Sequence, residues 1–244
     1  MVFAQLSDTH LDGGEHRAER TARVMSYLDG LPLAAVLHTG DIADNGDPAE
    51  YEQARRALAS RHPVLTCPGN HDVRGPYRKV LLDEPPDEGP VDRVHTVAGA
   101  RFVMCDSTIP GKGEGRLSDT TLDWLDARLA EEPGTPAFVC FHHPPVPLTI
   151  PYVDRICQYG EERLAAVIER HPQVVASLCG HAHTAAATTF AGRPLVVAPG
   201  VVSTLWLPGE SDPDGDPADY SAPPGVAIHV LTDDGRLTTH FRTV

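Results

Sequence analysis

Short apolar, β-branched runs alternate along this chain with stretches of helical patterning. The runs are VFAQLS (2–7), AAVLHT (34–39), PVLTC (63–67), RFVMC (101–105), AFVCF (137–141), VVASLC (174–179), PLVVA (194–198), GVAIHVL (225–231) and RLTTHF (236–241). Each is short and set off by turn-forming or polar residues, the signature of a strand. Helices are expected between them. Over residues 47–60, Asp47 stands at an N-cap, Pro48 at the first helical position and Glu50 three residues after the cap. Residues 118–134 carry Leu122, Leu125 and Leu129 at helical spacing and stop at Pro133-Gly134. Residues 160–172 bury Leu164, Val167 and Ile168 and end before Pro172. The alternation predicts a layered α/β fold with parallel strands in its first half and a mostly β C-terminal part. With no internal repeat, residues 1–244 read as a single domain, in which the Pro/Gly/Asp-rich stretch 207–225 is a long loop.

The polar residues fall at informative places. Five runs end in side chains able to bind metal: Asp8 and His10, then Asp41, then Asn70 and His71, then His142 and His143, then His181 and His183. Any one could be an ordinary core or loop residue. Layered α/β folds, however, form their sites beyond the carboxyl ends of strands, and five such ends coincide here. Asp, His and Asn without cysteine suit Mn, Fe or Zn better than a structural thiolate site. Asp8 and His10 are two apart, as are His181 and His183, so in extended backbone each pair faces one way. Gly40, Gly69 and Gly180 allow tight geometry where the strands break off. Asp8, His10, Asp41, Asn70, His142, His181 and His183 are more donors than one ion takes while keeping water, and they suit two ions sharing a carboxylate.

Composition narrows the function classes. A formal net charge of −14 opposes binding to polyanions such as duplex nucleic acid, yet bound cations can reverse the field locally for a small anionic substrate. No apolar run nears the ~18 residues of a membrane span, and the start lacks a signal-peptide pattern, so no membrane and a cytoplasmic location are expected. The five cysteines form no CxxC pair and read as reduced structural thiols. Of the other histidines, His38 reads as a strand-core residue, and His16, His62, His95, His171, His229 and His240 as structural or surface residues.

In order, D-x-H, G-D, G-N-H-D, H and G-H-x-H resemble the calcineurin-like metallophosphoesterase superfamily over roughly residues 1 to 205. G-N-H-D followed by H-H-P-P resembles its class III cyclic nucleotide phosphodiesterases and its bacterial glycerophosphodiesterases. The resemblance implies two packed mixed β-sheets flanked by helices. It implies one metal on Asp8, His10 and His183, a second on Asn70, His142 and His181, and Asp41 between them. The ions would be divalent or mixed-valence Mn, Fe or Zn. Two such ions acidify a water and stabilise both the attacking and leaving oxygens of in-line phosphoryl transfer. The implied activity is hydrolysis of small phosphodiesters, with 3′,5′-cyclic nucleotides such as cyclic AMP first and glycerophosphodiesters as the alternative. A non-enzymatic scaffold on this fold would be expected to have lost ligands.

The resemblance leaves His71 out of the ligand set but beside Asn70. There it could protonate the leaving alkoxide or bond a phosphoryl oxygen, with Asp72 holding its tautomer. Asn70 and His143 join it as substrate contacts, His143 lying behind the ligands or lining the pocket. Arg74, Tyr77 and Arg78 follow closely and could contact substrate or simply begin a solvated helix. Ser203 stands where some glycerophosphodiesterase relatives carry a substrate-contacting histidine. The segment Asp12–Arg17 and the 207–225 loop, with Asp212, Asp214, Asp216 and Asp219, should border the substrate. The expected partner is a small phosphodiester, and a homo-oligomer is left open.

Overall fold

The computed structural model describes residues 1–210 and 215–244. In chain order its elements are β1 (Val2–Leu6), α1 (Glu15–Asp29), β2 (Val36–Thr39), α2 (Pro48–Ala57), β3 (Val64–Cys67), α3 (Arg74–Leu81), β4 (Arg93–Val97) and β5 (Ala100–Met104). There follow α4 (Asp119–Glu131), β6 (Ala137–Cys140), α5 (Pro151–Asp154), α6 (Glu161–Arg170), β7 (Val174–Cys179), β8 (Ala186–Phe190) and β9 (Arg193–Val197). The chain closes with β10 (Thr204–Leu205), β11 (Ala218–Asp219), β12 (Gly225–Leu231) and β13 (Leu237–Thr243). All the strands and helices expected from the sequence are present. The Asp47/Glu50 capping box forms at the start of α2, and Ser118 Oγ accepts from Thr121 N–H at the start of α4.

Two mixed sheets carry the fold. One has the order β13-β12-β1-β2-β3, with β1, β2 and β3 parallel and β12 and β13 antiparallel. The other has the order β4-β5-β6-β7-β9-β8, parallel from β5 to β9 and closed by antiparallel edge strands. Phe3, Leu37 and Leu65 of the first sheet pack with Phe102, Phe138 and Leu178 of the second, so the sheets lie face to face. The Phe3 ring sits edge-on to Phe102 and Phe138, with centroids 5.0 and 4.9 Å away. On the outer faces, Val24, Leu28, Tyr51 and Tyr77 of α1, α2 and α3 cover the first sheet. Leu122, Leu125, Leu164 and Ile168 of α4 and α6 cover the second. Central strands buried on both faces must be apolar throughout, which is why β5 and β6 read as continuous hydrophobic runs.

The layered arrangement brings the carboxyl ends of β1, β2, β3, β6 and β7 to one edge. Gln5 Nε2 ties them across the sheets, donating to Thr39 Oγ1 at 3.0 Å and to the Cys179 carbonyl at 2.9 Å.

Helix α1 and strands β4 and β8 are additions to the expected elements. Helix α1 buries Thr21, Val24, Met25 and Leu28, but its first two turns are charged and Gly14 supplies no side-chain cap. Strands β4 and β8 are edges with almost no buried positions, so no apolar run marks them. The expected 207–225 loop also contains β11, which pairs with β10, while Asp212 and Asp214 lie outside the described residues. No described helix is long and apolar enough to cross a membrane. All five thiols are free, and Cys67, Cys105, Cys140 and Cys179 are buried.

Candidate metal centre

Each strand end turns sharply into the site. Among the described residues nine non-glycine positions have positive φ, and five of them are Asp8 (58°), His10 (44°), Asp41 (54°), His181 (69°) and His183 (52°). Such conformations cost about 1–3 kcal/mol each and persist only where surroundings impose them. Here backbone bonds between loops do so: Asp8 N–H donates to the Gly40 carbonyl and His10 N–H to the Asp41 carbonyl, both at 3.0 Å. Glycine is needed at position 40 because a Cβ there would lie 2.5 Å from His142 Nδ1, and Gly40 itself has φ +96°.

The side chains meet in two pairs of imidazoles with a carboxylate between them. His10 Nε2 lies 3.2 Å from His183 Nε2, and His142 Nε2 lies 3.2 Å from His181 Nδ1. Asp41 Oδ2 is 3.5 Å from His10 Nε2 and 3.3 Å from His142 Nε2, so it faces both pairs. Asp8 Oδ1 is 3.4 Å from His183 Nε2 and 4.0 Å from His142 Nε2. Each ring is fixed through its other nitrogen. His10 Nδ1 meets Asp44 Oδ1 at 3.2 Å, His183 Nδ1 meets Ser203 Oγ at 2.7 Å, His142 Nδ1 meets the Thr39 carbonyl at 2.7 Å, and His181 Nε2 meets the Ile156 carbonyl at 3.0 Å. An acceptor on one nitrogen keeps the proton there and leaves the facing nitrogen as a lone pair.

This donor set fits a pair of metal ions. An ion bonded at about 2.0–2.1 Å to two ring nitrogens holds them roughly 3.0–3.4 Å apart, the spacing found in both pairs. Asp8 Oδ1 and Asn70 Oδ1 are buried without any hydrogen-bond partner, as atoms awaiting a cation would be. Asp8, His10 and His183 form one group of ligand atoms within 4.8 Å of one another, and Asp8, Asp41 and His142 another. Asn70 lines the same cavity, of about 270 Å³, together with His10, Asp41, His181 and His183.

Electrostatics agree. Burial pushes Asp8 up to about 6. Burial would raise Asp41 too, but the charge and hydrogen bond of His142 hold it well below the usual carboxylate range. His142 in turn rises to about 9, against the effect of burial, because Asp41 and Asp8 face it. Burial drives His181 down to about 3 and His183 well below the ordinary imidazole value. Asp41 and His142 thus favour each other's charged forms, so a metal ion would compete with a proton at His142 Nε2.

The other sequence candidates divide. His71 is exposed and lines the cavity, its ring edge-on to His10 at 4.6 Å. Its backbone N–H donates to Asp41 Oδ1 at 2.9 Å, and its Nδ1 meets the Asp44 carbonyl at 2.7 Å. Asp44, not Asp72, thus sets the His71 tautomer. Asp72 is buried and accepts from the N–H groups of Ile42, Ala43 and Gly69 and from Tyr51 Oη, at 2.9–3.1 Å, so it pins two loops together. His143 is fully buried, bonded to Ser107 Oγ at 2.8 Å, and packed against His142 and His181. Arg74 is held by Asp106, Glu88 and Thr108, Tyr77 is buried, and Arg78 binds the Gly89 and Pro90 carbonyls. Ser203 is buried against His183 rather than presented to the cavity.

Sequence reasoning missed Asp44. Its carboxylate takes the His10 Nδ1 bond and an Arg17 Nη1 bond at 2.7 Å, while its carbonyl takes His71. Nothing in GDIADN distinguishes it from an ordinary loop aspartate. Arg17, Tyr152 and Tyr220 also line the cavity; Arg17 and Tyr220 lay in segments expected to border it, and Tyr152 did not.

The calcineurin-like phosphoesterase family model matches residues 1–185. The chain is 33% identical to the glycerophosphodiester phosphodiesterase GpdQ of Enterobacter lignolyticus, over 94% of this chain and 86% of that protein. It is 35% identical to a cAMP/cGMP dual specificity phosphodiesterase of Mycobacterium tuberculosis, over 81% of this chain and 66% of that protein. Among solved structures, a dimetal phosphatase from Danio rerio superposes with a TM-score of 0.72 at 16% identity, covering 100% of this chain and 96% of that one, which establishes a common fold.

Proposed function

This chain belongs to the calcineurin-like phosphoesterase family, and from that premise we propose that it is a two-metal phosphodiesterase whose preferred substrates are 3′,5′-cyclic nucleotides. The observation that carries the reading is the four imidazoles. Each is anchored through one nitrogen and turns the other toward Asp8 and Asp41.

We assign Asp8, His10 and His183 to one ion, Asn70, His142 and His181 to the other, and Asp41 to both. Mn, Fe and Zn all suit this nitrogen and oxygen donor set. When bound, the ions supply an acidified water and positive charge for the oxygens of in-line displacement. The chain does the rest. The Asp44 carbonyl holds a proton on His71 Nδ1, so in the imidazolium form Nε2 carries the second proton and gives it to the departing alkoxide, leaving the neutral Nδ1–H ring. Asn70, beside it on the cavity wall, can donate its amide N–H to a phosphoryl oxygen. Asp44, itself held by Arg17, orients His10 so that its other nitrogen faces the ion.

Glycerophosphodiester hydrolysis is the second reading, favoured by the extent of the match to GpdQ. Against it, Ser203 Oγ is engaged with His183, so this position offers no contact to a glycerol headgroup. A scaffold role is disfavoured because every ligand position is filled. Five free thiols support a reducing compartment such as the cytoplasm. The test is kcat/KM for cyclic AMP against glycerophosphoethanolamine at matched metal and salt. Cyclic AMP should win; a preference for the glycerol diester above about tenfold, ~1.4 kcal/mol, overturns the ranking.

A further inference from the structure

Single exposed apolar side chains are ordinary on a protein surface. Tyr152 and Tyr220 are not placed like that. They are 46% and 52% exposed, and both line the cavity that contains His10, Asp41 and His183.

Each is held by a short element. Tyr152 lies in α5, whose Asp154 Oδ1 accepts from Leu148 N–H at 2.7 Å, and the Arg155 guanidinium sits 5.8 Å from the Tyr152 ring centroid. Tyr220 directly follows β11, which pairs Asp219 with Thr204 and Ala218 with Leu205. Ala218 and Leu205 belong to the same cavity wall as Tyr220. The cavity lining thus combines polar, metal-binding residues with two exposed aromatic rings and with Ile156, Val202 and Leu205.

A phosphodiester with no planar group would leave those faces wet. A nucleobase would cover them, since every base has a π-face and stacking on an aromatic side chain tolerates any sequence. We propose that Tyr152 and Tyr220 form a nucleobase-stacking subsite that selects nucleoside phosphodiesters over alkyl ones. This rests on the phosphodiesterase reading for the phosphate end of the substrate, but the stacking itself can be measured without turnover.

The experiment compares binding of 5′-AMP and of ribose 5-phosphate to the metal-loaded protein by calorimetry. It uses the parent, Tyr152→Ala, Tyr220→Ala and the two Tyr→Phe variants. The parent should prefer AMP, and each Ala variant should lose about 5- to 150-fold in AMP affinity, the range of a single base stack. Ribose 5-phosphate affinity and metal content should stay unchanged, and the Phe variants should behave as the parent. The subsite is overturned if the parent binds both ligands equally, or if the Ala variants weaken both alike. It is equally overturned if Phe loses as much as Ala, which would make the hydroxyls, not the rings, the contact. Tyrosine-dependent AMP binding in a protein that does not hydrolyse cyclic AMP would uphold the subsite and refute the function above.

Discussion

Replacing Asp44 by alanine removes the acceptor that fixes His10 while leaving every proposed metal ligand in place. The carboxylate holds His10 Nδ1 at 3.2 Å and Arg17 at 2.7 Å, and its own pKa is drawn down to about 2, first by the His10 hydrogen bond. Without it the ring is free to rotate or to adopt the tautomer with its proton toward the metal. Loss of such an outer partner costs metal affinity about 10- to 100-fold, or ~1.4–2.7 kcal/mol. The effect should be confined to one ion, because His142 and His181 are anchored separately by Thr39 and Ile156. Asp44→Asn keeps an oxygen acceptor and should lose less. Since His71 is held by the Asp44 backbone carbonyl, turnover at saturating metal should stay close to the parent's in both variants. Calorimetric titration with Mn²⁺ into metal-free protein checks this as a two-site isotherm. Unchanged affinity at both sites, or an equal loss at both, would refute the division of labour among the histidines.

Three further outcomes are expected. His71→Ala should retain both metals and lose roughly 10²–10⁴ in turnover, with a smaller loss for a nitrophenyl diester whose leaving group needs no proton; equal losses on both substrates would point to phosphoryl positioning instead. Asp72→Ala should strand four buried donors and destabilise the fold by about 3 kcal/mol or more, a fall in Tm of roughly 6–12 °C, so a parent-like melting curve would count against its structural role. His229 is buried between Phe3 and Gln5, and burial lowers it to about 3, so its neutral ring supports the fold fully above pH ~6.5 and ever less as pH falls toward 3; the acid loss of stability, up to ~1.4 kcal/mol per pH unit, should shrink in His229→Gln, and an unchanged slope in urea unfolding would be the contrary result.

The seven proposed ligands were legible because each sits within a few residues of a short apolar strand, so local pattern located the common edge. What joins them was not legible. The left-handed turns at Asp8, His10, Asp41, His181 and His183 leave no compositional trace at non-glycine residues. The acceptors Asp44, Ser203, Thr39 and Ile156 come from segments distant in sequence or lacking any motif, and act only once the two sheets pack. Asp72 and His143 illustrate the reverse error. Adjacency to a ligand suggested chemistry for both, yet the turn after β3 aims one at loop N–H groups and the bend after β6 packs the other into the core. Tyr152 lies in a helix of four residues, too short for periodicity to mark, and Tyr220 in the 207–225 loop, where composition marks a loop but no single residue.

Metal stoichiometry, measured side by side in the parent and in Asp41→Asn, tests the two-ion centre most directly. Protein saturated with Mn²⁺ should carry about two ions per chain by elemental analysis. Asp41→Asn, which neutralises the carboxylate facing both imidazole pairs, should lose occupancy at both sites and activity with it. A parent that saturates at one ion or none, or a variant that keeps two ions and normal turnover, would contradict the account.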